Sequence, residues 1–293
     1  MNIKTELWQA VVKLKKANIK SAHLDAEILL SFILNKTREF ILTLPELKLT
    51  KAQQSKFNKL ISRRIKGEPI AYLIGEKEFY GNKFLVNKQA LIPRPETELM
   101  VDEALKIIKT KPAKFTLIDI GTGSGCVIIS LAKILGNKYK YFGTDISKTA
   151  LNIARKNSKI NKAQFIKFAS GDLLQPLLNS KILNRKSKIL ILANLPYGWT
   201  AWLNNSSADT IGLKFEPKIA LFMGKDGLEL YEKLLIQLRD VEKINKNINA
   251  FLEIDPRQKL KIGRMIKKNL PDATFAIKKD LKGHNRLIIL KLG

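Results

Sequence analysis

With 293 residues and a hydrophobic content of 45%, the chain is long enough for one large domain or two modest ones around a buried core. Its single cysteine, Cys126, excludes an internal disulfide framework and suits a reducing cytosol, and no apolar stretch is long enough to span a bilayer. Lys plus Arg number 53 against 26 Asp plus Glu, a net charge of +27 that fits a nucleic-acid or ribosomal partner and equally fits a Lys-, Ile- and Asn-rich composition, so charge does not choose a substrate.

The first thirty residues scatter Lys and Glu instead of setting a basic start ahead of an apolar block, so no export signal is expected and the expected location is cytoplasmic. Residues 1–72 are expected to form a small helical bundle. Leu7, Trp8, Val11 and Val12 recur at helical spacing. Ser21 is placed to cap a helix through Asp25, Ile28, Leu29 and Ile33. Thr50 with Gln53 makes a capping-box pattern ahead of a segment that stops at Gly67. Residues 73–92 change character. Aromatic and β-branched residues around Gly75, Gly81 and Asn82 predict a hairpin linker.

The third region, 93–293, alternates strands and helices. A helix is expected at 96–109, a strand at Phe115–Ile118 and a helix at Val127–Leu135. Tyr139–Gly143 reads as a second strand, Leu151–Asn157 as a second helix, and Phe165–Phe168 and Ile189–Ala193 as the third and fourth strands. Leu228–Leu238 is expected to be a helix and Ala250–Ile254 the fifth strand. Phe275–Ile277 and Leu287–Leu290 would close the sheet as an antiparallel pair. This order predicts an α/β fold, a mostly parallel sheet covered on both faces by right-handed crossovers.

Three segments at successive strand ends carry chemistry. Asp119-Ile120-Gly121-Thr122-Gly123-Ser124-Gly125 turns a strand into a helix, and its glycines let backbone approach a ligand; alone, it is also the pattern of an ordinary tight turn. The second strand ends at Asp145, a carboxylate suited to the two hydroxyls of a ribose. The third ends at Gly171-Asp172-Leu173, which can meet an adenine amino group and face, or simply make a turn. No phosphate-loop lysine follows the glycines, which argues against a nucleoside triphosphate. Together the three segments can seat a nucleoside cofactor, and only with the fourth segment, which can hold a planar nitrogen, do they suggest S-adenosyl-L-methionine as a methyl donor.

The fourth segment is Asn194-Leu195-Pro196-Tyr197. A planar nitrogen is a poor nucleophile until both of its N–H groups are taken by acceptors. The Asn194 side-chain oxygen and the Leu195 carbonyl can serve, with Pro196 stiffening the loop and Tyr197 stacking on the planar group. An Asn-Pro turn after a strand is the plain alternative. Cys126 is expected in the core, and His23 and His284 offer no metal spacing.

With these residues in view, the chain resembles the PrmC/HemK family of protein-(glutamine N(5)) methyltransferases acting on peptide-chain release factors. The resemblance covers almost the whole length. It rests on Gly67-Glu68-Pro69-Ile70-Ala71-Tyr72-Leu73 with Gly75, on Glu78-Phe79-Tyr80, and on Leu91-Ile92-Pro93-Arg94-Pro95-Glu96-Thr97-Glu98, the most distinctive signature. The glycine turn, Asp145, Gly171-Asp172, Phe215-Glu216-Pro217, Asp226-Gly227-Leu228 and Gly283, Asn285 and Arg286 complete it. The resemblance implies an N-terminal helical domain that helps hold the release factor, and a Rossmann-like, seven-stranded, mostly parallel methyltransferase sheet. It implies a substrate glutamine in a Gly-Gly-Gln loop. It also implies that Gly121, Thr122, Gly123, Ser124, Gly125, Asp145, Asp172, Leu173 and Asn194 bind cofactor while Asn194–Tyr197 bind the glutamine. No metal is expected, and the chain would act as a monomer, with no membrane partner and with nucleic-acid binding allowed but not required.

Two departures stand out. Leu195 replaces a usual proline, keeping the carbonyl but losing stiffness, and Glu253-Ile254-Asp255-Pro256-Arg257-Gln258 lacks the glycine of the family's Glu-x-Gly-x-x-Gln. Trp199 and Trp202 follow the Asn194 loop unexpectedly, with ordinary core packing favoured over a pocket role. Arg94 is expected to serve linker structure. Asn-Leu-Pro-Tyr also occurs in ribosomal-RNA adenine N(6)-dimethyltransferases, which makes such an enzyme the second reading; a DNA adenine methyltransferase and a decayed, non-catalytic relative are weaker ones.

Overall fold

A computed structural model describes every residue except 111–112, 179, 184–186, 200–209 and 223. The chain divides into two compact units, one comprising 1–76 with 208–215, the other 77–207 with 216–293.

The first unit is helical. It contains α1 (Ile3–Lys16), α2 (Ala22–Leu34), α3 (Arg38–Thr43), α4 (Lys51–Ile65) and α5 (Ile70–Ile74). Local signals set several helix ends. Asn2 caps α1 by accepting the Thr5 N–H, and Thr50 and Gln53 form the expected capping box on α4. Ser21 does not cap α2 with its side chain; at φ −89° and ψ 23° its backbone is not in the extended form a cap requires. Ile3, Leu14, Leu29, Leu30, Phe57 and Ile61 fill the core, whereas Trp8 is 67% exposed despite its helical spacing. Inside, Arg64 pairs with Asp25 at 2.7 Å and donates to the carbonyls of Gly67 and Glu68, tying the end of α4 to α2.

The hairpin of β1 (Glu76–Phe79) and β2 (Asn82–Leu85) follows, and all of it past Glu76 belongs to the second unit. Its turn places Tyr80 at φ 50° and Gly81 at φ 68°, the left-handed pair that matches strand twist. A 3-10 turn at Pro95–Thr97 leads into α6 (Glu98–Thr110). There follow β3 (Phe115–Ile120), α7 (Cys126–Leu135), β4 (Lys140–Asp145), α8 (Lys148–Ile160), β5 (Lys167–Ser170), α9 (Gln175–Leu178) and β6 (Lys188–Ala193). The short α10 (Thr210–Leu213) belongs to the first unit. The chain then adds α11 (Glu229–Ile244), β7 (Ile248–Glu253), α12 (Lys259–Asn269), β8 (Thr274–Lys279) and β9 (Asn285–Leu292).

The seven strands lie in the order β5-β4-β3-β6-β7-β9-β8. The first five are parallel, and β9 pairs antiparallel with both β7 and β8. The expected seven-stranded, mostly parallel sheet with an antiparallel end is therefore present. Its central strands are mostly apolar and buried, β3 along its whole length and β6 beyond its first residue, because helices cover both faces. One buried cluster packs β3, β6 and β7 against α11 and α12, and another packs β3 and β6 against α6 and α7. The strand order reverses between β3 and β6, where an open α/β sheet leaves a crevice at its carboxyl edge. Ile120 pairs with Ala193, so the two loops that leave these strands begin at the same level.

Candidate active site

The turn after β3 needs left-handed backbone at Gly121, Gly123 and Gly125 (φ 65°, 54° and 81°). Space is short as well. A Cβ on Gly125 would sit 2.7 Å from Ile129 Cδ1 and 3.3 Å from Ala154 Cβ, and one on Gly121 would sit 3.1 Å from Leu195 Cδ2. Asp119 shapes the turn from below. It is buried and accepts the Thr122 hydroxyl at 2.6 Å, and burial pushes its carboxyl up to about 7. Asn157 on α8 donates to the Ser124 carbonyl and to Leu85, joining the turn to the hairpin.

Asp145, at the end of β4, accepts the Gly123 N–H on Oδ2 (2.9 Å) and the Ser147 N–H on Oδ1 (2.8 Å). Burial raises its pKa, and those two backbone donors oppose the shift. Each carboxyl oxygen keeps a lone pair for a further donor. After β5, Leu173 adopts φ 52° and its carbonyl accepts the Thr144 hydroxyl. Asp172 is paired with Lys233 of α11, a partner that sequence spacing gave no means of finding.

These ends share one cleft with the loop after β6. Gly121, Gly123, Asp145, Asp172, Leu173, Asn194, Leu195 and Pro196 all line it, and Ala90, Leu91, Ile146, Ile219 and Ala220 supply apolar wall. The cleft is open to solvent at the carboxyl edge of the sheet, where a ligand can enter it. A mostly apolar wall with one carboxylate carrying spare acceptor capacity fits adenosine, and the glycine turn leaves room for backbone contact. Thr122, Ser124 and Gly125 do not line the cleft; the first two are buried and shape the turn.

Asn194 donates its Nδ2 to the Thr97 hydroxyl at 2.9 Å, which leaves its Oδ1 as the end free to accept. Leu195 is buried, and its N–H, which a proline would lack, donates to Tyr231 Oη at 3.3 Å. That bond supplies restraint that a proline ring would have given. Tyr197 is not among the cleft-lining residues. Its ring packs on the core beneath, and its hydroxyl donates to Glu253 Oε1 at 3.3 Å.

The missing glycine after β7 is replaced by a different turn. Asp255 stays extended at φ −70°, Pro256 opens a 3-10 turn, and Asp255 with Gln258 makes a capping box. Gln258 Nε2 then donates to the carbonyls of Tyr197 and Asp226. Arg257 pairs with Asp255 and lies 4.7 Å over the Trp199 ring. Trp199 is thus held by a cation, while Trp202 falls outside the described residues. Arg94 pairs with the buried Glu216 at 2.6 Å, and the other Glu216 oxygen accepts the Ile92 N–H, fixing the segment that walls the cleft. Thr97, Glu216, Tyr231 and Glu253 were missed as site residues. Thr97 and Glu216 lie inside recognisable motifs, whereas nothing local marks Tyr231.

Residues 7–75 match the PrmC N-terminal domain and residues 112–210 match a methyltransferase domain. The release factor glutamine methyltransferase of Dictyoglomus turgidum is 36% identical over 94% of this chain and 93% of its own length. The chain belongs to the release factor glutamine methyltransferase family. That of Mycoplasma mycoides subsp. mycoides is 33% identical over 97% of this chain and 98% of its own. A bifunctional methyltransferase of Rickettsia felis is 34% identical over 98% of this chain, which spans only 58% of that longer protein. Among solved structures, the catalytic domain of human METTL16 with an RNA hairpin aligns over 90% of both chains with a TM-score of 0.56 at 14% identity, a likeness of fold alone. Members of this family are S-adenosyl-L-methionine-dependent enzymes, and no helix among the described residues is long and apolar enough to cross a membrane.

Proposed function

We propose that this chain transfers a methyl group from S-adenosyl-L-methionine to the side-chain amide nitrogen of the glutamine in the Gly-Gly-Gln motif of peptide-chain release factors, in support of translation termination. The observation that carries this reading is the shared cleft: the Gly121–Gly125 turn and the Asn194–Pro196 loop leave adjacent strands at one level and face the same space.

When bound, the cofactor supplies a methyl carbon that is electrophilic because it sits on a sulfonium. The protein's share is alignment. Asp145 would take the ribose hydroxyls on its remaining lone pairs, Leu173 and Ile146 would form the apolar wall for the adenine, and the turn at Gly121 and Gly123 would let backbone approach the rest of the cofactor. Asp172, already paired with Lys233, would serve the adenine end as an acceptor. Asn194 Oδ1 and the Leu195 carbonyl accept the two N–H groups of the substrate amide. Those bonds hold the amide plane so that the nitrogen's π-electron pair faces the methyl group; fixed dipoles and proximity then lower the barrier. Pro196 limits loop movement and Tyr197 anchors it to the core. No strong base is required, because an N-methylated, positively charged amide loses its proton readily to water.

The N-terminal helical unit is assigned to release-factor contact, and a monomeric enzyme working in the cytoplasm goes with this reading. A ribosomal-RNA adenine methyltransferase is not favoured, because the near-full-length relatives carry the release-factor name and the PrmC N-terminal domain precedes the sheet. The test is incubation with labelled S-adenosyl-L-methionine and two acceptors, a release factor and ribosomal RNA, followed by mass spectrometry of the Gly-Gly-Gln peptide. Label on the glutamine supports the reading; label only on RNA overturns it.

A further inference from the structure

Behind the Asn194–Tyr197 loop, on the side away from the cleft, Glu253 ends β7 in full burial. Its Oε1 accepts the Tyr197 hydroxyl at 3.3 Å. Its backbone carbonyl accepts the Tyr231 hydroxyl, and Tyr231 Oη in turn accepts the Leu195 N–H at 3.3 Å. Its Oε2 is buried and makes no well-formed hydrogen bond among the described residues, though the Thr97 hydroxyl lies near enough to favour its charged form.

We infer that Glu253 is the positioning residue of the Asn194–Tyr197 loop, holding Tyr197 through its side chain and Leu195 through its backbone and Tyr231. The inference rests on the proposed reading that this loop aligns the substrate amide. Glu253 touches neither substrate nor cofactor and acts only through the loop. Two grips at Leu195 and Tyr197 set the direction of the Leu195 carbonyl, which a single hydrogen bond could not fix.

The carboxyl also has two states within reach. Burial pushes it up to about 7, with the Thr97 hydroxyl, Arg286 on β9 and Tyr197 favouring the charged form and Glu96 opposing it. Arg94 and Asp255 act on the same cluster through Tyr197, and Tyr231 on α11 lies beside the carboxyl. The ionised form is the stronger acceptor for the tyrosine hydroxyl, so the loop is held more firmly above the transition than below it.

The experiment compares the full chain with Glu253→Gln, Tyr197→Phe and the double variant, measuring kcat and KM for a release factor from pH 6 to 8. Cofactor Kd is measured by isothermal titration calorimetry. Expected for the wild type is a rise in kcat through pH 7. Expected for Glu253→Gln is a flat profile lying about 3- to 10-fold below the wild type at pH 8, the worth of a charge-assisted over a neutral hydrogen bond, with cofactor Kd unchanged. Tyr197→Phe should flatten the profile likewise, and the double variant should be no slower than the slower single variant, because both remove one contact. A Glu253→Gln enzyme that keeps the wild-type rise, or a double variant whose losses multiply, overturns the inference. A wild type that methylates no Gly-Gly-Gln glutamine refutes the substrate reading instead, so the two failures are told apart.

Discussion

Gly121→Ala places a methyl group between the two halves of the site. At φ 65° an alanine is strained by about 1–2 kcal/mol, since its Cβ approaches the following carbonyl. The new Cβ would also lie 3.1 Å from Leu195 Cδ2, a few tenths of an ångström inside comfortable contact. Leu195 is buried and cannot swing into solvent, so the push reaches its backbone, whose N–H already bonds Tyr231 at 3.3 Å. Because a misplacement of about 1 Å costs on the order of 10²-fold in rate, a shift of a few tenths should cost about 3- to 10-fold in kcat. Stability should drop by about 1–2 kcal/mol from the strain, read by urea unfolding. Leu195→Val removes the Cδ2 that is struck while keeping the backbone carbonyl. The double variant Gly121→Ala/Leu195→Val should therefore regain most of the lost kcat, though not the lost stability. Steady-state kinetics on a release factor give both numbers. A Gly121→Ala enzyme with unchanged kcat, or a double variant as slow as the two losses multiplied, would show that this contact does not govern the loop.

Asn194→Ala should lower turnover by about 10²–10³-fold, the worth of one preorganised hydrogen bond, with cofactor Kd largely kept; near-normal activity would remove Asn194 from its role. Asp145→Ala should mainly weaken cofactor binding, measured by calorimetry, because the variant loses both the proposed ribose acceptors and the tether to Gly123; an unchanged Kd refutes the assignment. Asp119 should make the fold less stable as pH rises. Its folded pKa of about 7 lies above the usual carboxylate value, so the stability it contributes is complete below the unfolded pKa and is lost as pH climbs through about 7. At about 1.4 kcal/mol per pKa unit the loss is a few kcal/mol. Unfolding curves from pH 5 to 8 should show this slope in the wild type and a shallower one in Asp119→Asn; equal slopes would contradict it.

Sequence alone determined what is set locally. The order of the strands and of α7, α8 and α11 from Phe115 to Leu292 follows from periodicity, because side-chain direction repeats every two residues in a strand and every 3.6 in a helix, whereas α9 and α12 were not anticipated. The glycine turn was legible because glycine best tolerates the left-handed backbone at 121, 123 and 125, and the start of α4 was legible because Thr50 and Gln53 mark its capping box within four residues. The Asn194-Leu195-Pro196-Tyr197 pattern was legible because it lies in four consecutive residues, but the packing of Tyr197 on the core in place of the cleft was not.

Tertiary structure decided what depends on distant partners. Nothing near Asp172 announces Lys233, and Arg94 meets Glu216 across 122 positions of chain. The reach of Leu195 to Tyr231, the turn of Tyr197 away from the cleft toward Glu253, and the rebuilt turn at Asp255–Gln258 depend on β6 lying between β3 and β7. Local pattern records which face of an element is apolar. It does not record which elements become neighbours, since that choice follows from burying all those faces at once, and there the site acquires its hidden supports.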